Sequence, residues 1–88
     1  MASTNVLAER LEGIERRVAT EPGAAQDDLE DLAKQLSPSV APELDAAAAL
    51  LQNEDFPGAA HILLEQALLI QRTASVALEV REQVRRRR

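Results

Sequence analysis

Apolar residues recur along this chain at spacings of four, three and four, and that rhythm decides what it can fold into. Leu7, Leu11, Ile14 and Val18 carry it first. Ala25, Leu29, Leu32 and Leu36 repeat it, and so do Val40, Leu44, Ala47 and Leu51. Each set draws an apolar stripe down one face of a helix, the pattern by which helices pack on helices. Glu, Asp, Arg and Gln fill the positions between, as on a wetted face. No alternating strand pattern persists beyond a few residues. With 88 residues, the chain makes one small domain. Its expected class is all-α.

The interruptions fall where helix ends belong. Thr20, Glu21, Pro22 and Gly23 close the first stripe, and proline is tolerated early in the helix that follows. Asp27, Asp28, Glu30 and Asp31 lie toward the start of that helix, where negative charge suits its dipole. Ser37, Pro38 and Ser39 read as a second break. Ser39 then caps a third helix, leaving Pro42 in the first turn, where it breaks no internal hydrogen bond. The run from Asn53 to Gly58 is a third break, with Asp55 as the cap. The pattern predicts helices at 4–19, 22–36, 40–52 and 57–85. That is a four-helix bundle-like, up-down domain over residues 1–84: three short amphipathic helices against one long C-terminal helix. A basic tail follows at 85–88.

The chain has one Phe, one Met and no Trp, Tyr or Cys, so the core must be aliphatic. The stripes assign to it Leu7, Leu11, Ile14, Val18, Leu29, Leu32, Leu36, Leu44, Leu51, Phe56, Leu63, Ala67 and Ile70.

Residues 62–70 break the amphipathic rule: seven of the nine are apolar, which covers nearly every face of a helix. A helix apolar all round must be covered all round. Three short partners cover part of it, and a small domain hides a smaller fraction of its surface than a large one. Either this helix is central to the bundle, or it forms a self-association or partner interface. The second option assigns partner binding to Ile62, Leu64, Leu68, Leu69 and Val76, and it predicts that Leu68→Glu lowers the mass in solution.

Charge is segregated within an overall −5. Residues 21–65 hold ten acids against Lys34, a net of −9, whereas residues 81–88 hold five Arg and Glu82, a net of +4. Arg85, Arg86, Arg87 and Arg88 can neutralise phosphates. The acidic body repels a polyanion, however, and no Trp or Tyr is present to stack a base. Nucleic acid is therefore a disfavoured partner, kept for an alternative reading as an acidic, antitoxin-like regulator.

Without cysteine there is no disulfide, Cys-based metal site or thiol nucleophile. With a single His, a His-based metal site cannot be assembled within one chain. No glycine-rich phosphate loop occurs, because Gly13, Gly23 and Gly58 stand apart. The acidic pairs sit at exposed helix-starting positions, unlike the buried or crowded carboxylates of catalysis. The expectation is a protein that is no enzyme and takes no cofactor. Nothing reaches the length of a membrane span, nothing near Met1 resembles a secretory leader, and the default location is cytoplasmic.

His61 is the one imidazole of the chain, and Glu65 lies one turn on, placed to pair with it. His61, Ile62 and Leu63 resemble the start of the His-x-Leu-Lys-Gly pattern of histidine phosphotransfer domains. Here Leu64 and Glu65 stand where that pattern has Lys and Gly. The resemblance implies a signalling role as a further alternative.

Residues 43–68 resemble one tetratricopeptide-type helical hairpin. Ala47 and Leu50 match the small and large positions of its first helix, and Phe56, Ala59 and Leu63 match the aromatic, small and large positions of its second. Ala67 falls near the next small position. The resemblance implies partner or peptide binding, as in small helical chaperones and adaptors. The leading functional expectation agrees with it: a non-catalytic interaction module, whether adaptor, small chaperone or assembly subunit. Its partner is a second copy, first of all in a dimer, or another protein.

Overall fold

Helix runs straight through Pro38 and Pro42. The structure, a computed structural model, describes residues 4–86 and has three helices: α1 (Thr4–Arg17), α2 (Pro22–Gln52) and α3 (Phe56–Arg86). The four-helix expectation is thereby corrected to a three-helix bundle-like arrangement. The expected second and third helices are one. A proline inside a helix removes a hydrogen bond and crowds the carbonyl four residues back, at about 3 kcal/mol or more. Here both prolines are exposed, while Ser39 and Val40 beside them are buried. The damage therefore lies on the outer side of α2, where freed carbonyls turn to water. The side facing α3 is unbroken, and its burial offsets the cost. Ser39 is an interior helical residue rather than a cap.

α2 and α3 form a long antiparallel hairpin, the most extensive helix pair in the molecule. Each has 31 residues, about 46 Å at 1.5 Å per residue. α1 has 14 residues, about 21 Å, and lies across one end of the hairpin. Leu7, Leu11 and Ile14 of α1, with Val18 just past its end, pack onto Ala25, Leu29 and Leu32 of α2 and onto Leu69, Val76 and Val80 of α3. Polar pairs tie the edges. Arg10 Nη1 donates to Gln35 Oε1 at 2.8 Å, and Arg72 Nη2 donates to Glu15 Oε1 at 3.3 Å. Arg17 pairs with Asp28. Pairs exposed like these contribute at most about 1 kcal/mol each, so the apolar stripe holds α1 in place.

Beyond the reach of α1 the hairpin is two helices alone. Val40 and Ala47 of α2 and Ala59 of α3 are buried along that seam. Two helices bury only a seam, so the expected core residues Leu44, Leu51, Phe56, Leu63, Ala67 and Ile70 are exposed, and Leu36 is half-buried. The buried set instead gains Ala25, Val40, Ala47, Ala59, Leu69, Val76 and Val80. Gln66 is 3% exposed, and its Oε1 finds no hydrogen-bond donor among the described residues. An orphan of this kind costs about 1–3 kcal/mol.

The turn between the long helices is a Schellman motif. Asp55 N–H bonds to Leu50 O at 2.8 Å, and Glu54 N–H bonds to Leu51 O at 3.1 Å. The motif needs a left-handed residue, usually glycine, just past the helix end, and Glu54 holds that position with φ of 61°. Asp55 caps α3, its Oδ1 accepting from Gly58 N–H at 3.1 Å. Glu54→Gly is expected to raise stability by about 1 kcal/mol, by removing the left-handed penalty on a residue with a Cβ. Urea denaturation checks this; an unchanged or lower midpoint contradicts it.

Candidate interaction surface

The face of the hairpin opposite α1 has no cover. Between α2 and α3 it opens into a groove of about 790 Å³. Its floor is Leu29, Ala33 and Leu36 from α2 with Ile70, Ala74, Ala77 and Val84 from α3, and Glu30, Arg81 and Arg85 rim it. The groove exists because Ala33, Ala74 and Ala77 are small. Leu or Ile at those positions would fill it.

Helix phase extends the same face to the turn. Eighteen residues make about five whole turns, so positions eighteen apart share a direction. Leu51 lies eighteen residues after Ala33, and Leu44 eighteen after Gln26, which also lines the groove. Phe56 precedes Ala74, and Leu63 precedes Arg81, by the same interval. All four apolar residues are exposed, Phe56 at 60%. The same face therefore carries large exposed apolar side chains, Leu44, Leu51, Phe56 and Leu63, at the turn end and the groove at the α1 end.

The residues assigned to partner binding from the sequence divide around this face. Leu64 and Leu68 are exposed, at 63% and 58%, but neither lines the groove. Leu68 sits with Glu15 and Arg72, on the α1 side of α3. Leu69 and Val76 are buried beneath α1 and offer no surface. Ile62 is half-buried. The stripe open on α3 is Phe56, Leu63, Ile70 and Ala77, spaced by seven, and Val84 continues the spacing half-buried against the core. That spacing was present in the sequence as a signal; the all-round apolarity of residues 62–70 obscured it.

The remaining candidates are placed plainly. His61 is exposed and its Nε2 meets Glu65 Oε1 at 2.9 Å, the surface pair that their spacing predicted. Of the arginine run, Arg85 and Arg86 belong to α3, so the helix takes up half of the expected tail; Arg87 and Arg88 lie outside the described residues. Arg86 pairs with Glu82 at 3.7 Å, whereas Arg81 and Arg85 form no ion pair among the described residues. Those residues hold no group of three or more His, Asp or Glu able to bind a metal, and none of the helices is long and apolar enough to cross a membrane. Ala47 and Ala59, the small positions of the tetratricopeptide-like pattern, are both buried at the helix seam, but Phe56 stands in solvent and plugs nothing.

No known family model matches the chain, and no curated protein or solved structure matches it.

Proposed function

We propose that this protein is a non-catalytic interaction module whose working surface is the apolar face of the α2–α3 hairpin. One observation carries the reading: half of the hairpin lies beyond α1, and there Leu44, Leu51, Phe56 and Leu63 are exposed on two helices, with Ile70 exposed where that surface meets the groove. Contiguous apolar surface on that scale marks association in soluble proteins. The spacing by seven along α3 suits a helical occupant, since knobs at that interval enter the holes of a facing helix. The resemblance of residues 43–68 to a tetratricopeptide-type hairpin points to the same class of work.

The test is the double variant Leu63→Glu, Ile70→Glu. Both positions are exposed, so far-UV helicity and the thermal midpoint should stay close to wild type. Association, with itself or with another protein, should fall by at least about 30-fold per anchor if these are the central residues of the interface. Light scattering measures the first, and a photo-crosslinker installed at residue 64, beside the face, measures the second in cells. Wild-type protein that is monomeric at every concentration and yields no crosslinked adduct overturns the reading.

A further inference from the structure

We infer that the open face is closed by a second copy of this chain, packed antiparallel about a two-fold axis at Ile70. This rests on the interaction-module reading above and names its partner. Shape carries it. One half of the face carries large exposed side chains and the other a groove lined by alanines, so each half can fill the other. An axis at Ile70 sets residue 63 over residue 77 of the second copy, and residue 56 over residue 84. Leu63 then enters the hollow that Ala77, Ala74 and Ala33 leave, and Phe56 meets Val84. A contact of this sort uses the same patch twice and closes on itself, leaving no free face to extend a fibre. Pairing the copies in parallel does the reverse: hollow faces hollow across a void, and α3 lies on α2 of the second copy, so Leu63 does not reach the alanines of α3.

Charge follows the antiparallel register. Arg85, which has no ion pair among the described residues, comes over Asp55 of the second copy, and Arg86 over Glu54. The chain's basic end thus covers the acidic turn.

The chain has no cysteine, so single cysteines report the register directly. Ile70→Cys, Leu63→Cys and Ala77→Cys all fall at exposed positions, and circular dichroism checks that each variant keeps its helicity. Each is treated with a short bis-maleimide at a concentration where wild type is dimeric by light scattering. The expected result is near-complete linked dimer for Ile70→Cys, which meets its own copy on the axis. Leu63→Cys and Ala77→Cys each give little alone, and their equimolar mixture gives several-fold more. Leu68→Cys, off the face, gives little. Linkage of Leu63→Cys with itself and of Ala77→Cys with itself, without the mixed product, overturns the antiparallel register. A wild type that stays monomeric over a hundredfold concentration range overturns the second copy as occupant. In that event, an adduct with a different protein from the crosslinker at residue 64 leaves the interaction-module reading standing, and no adduct removes both.

Discussion

Replacing Leu11 with aspartate is expected to abolish the cooperative thermal transition of this protein. Leu11 is fully buried, midway along the stripe that docks α1, with Leu7 and Ile14 a turn to either side. Truncating such a leucine to alanine costs about 2–5 kcal/mol through lost transfer energy and the cavity left behind. Aspartate adds a carboxylate without a partner in the same place, a further cost of several kcal/mol. A domain of this size has a net stability of about 5–10 kcal/mol, so the sum exceeds what is available. The exposed polar pairs at the edges of α1 are too weak to retain it. Without α1, the inner faces of Leu29, Leu32, Val76 and Val80 lose their cover, and the hairpin loses the core that fixes it. Circular dichroism at 222 nm against temperature should show a shallow slope and reduced helicity at 25 °C. A sigmoidal melt within a few degrees of wild type would show that α1 is not what stabilises the hairpin. Leu11→Met, which conserves volume, should cost less than about 1.5 kcal/mol.

The double variant Pro38→Ala, Pro42→Ala should move stability the other way, and strongly. Each proline sits inside α2, in the middle of 31 helical residues. Alanine restores the missing N–H at each site and removes the ring clash, worth up to about 3 kcal/mol per site in a helix interior. Both positions are exposed, so the smaller side chain leaves no cavity. Relaxation of the existing helix around the rings reduces the gain. About 2–4 kcal/mol for the pair is expected, a rise of at least about 8 °C in the midpoint for a domain this small. The sign is diagnostic. If residues 37–39 formed a loop between two helices, removing proline would free the unfolded chain and lower stability by about 0.4–1 kcal/mol per site. A lower midpoint would thus restore the four-helix reading.

Much of α1 and of the α1-facing half of α2 was legible in the four-three-four spacing. Leu7, Leu11, Ile14, Val18, Ala25, Leu29 and Leu32 were named from it and are all buried, because each of those stretches is apolar on one face only. The turn at residues 53–55 was legible too, with Asp55 capping α3. Two readings failed, for different physical reasons. Local sterics at Pro38 oppose helix, so the pattern predicts a stop there; long-range packing of α2 on α3 outweighs them. Leu69 was assigned to a partner surface and Leu63 to the core, the reverse of their burial. Where seven of nine consecutive residues are apolar, no face stands out, and hydrophobicity alone does not say which side α1 will cover.

What the sequence by itself determined is the class of structure. An aliphatic, aromatic-poor chain with a helical apolar period folds as packed helices. It also determined that more apolar surface is present than so few residues bury. Tertiary structure decided how many helices there are, and which apolar residues are core and which remain open. The reason is length: α1 reaches along less than half of a hairpin of 31-residue helices. Identical leucines are therefore buried at one end and bare at the other, according to what lies across them.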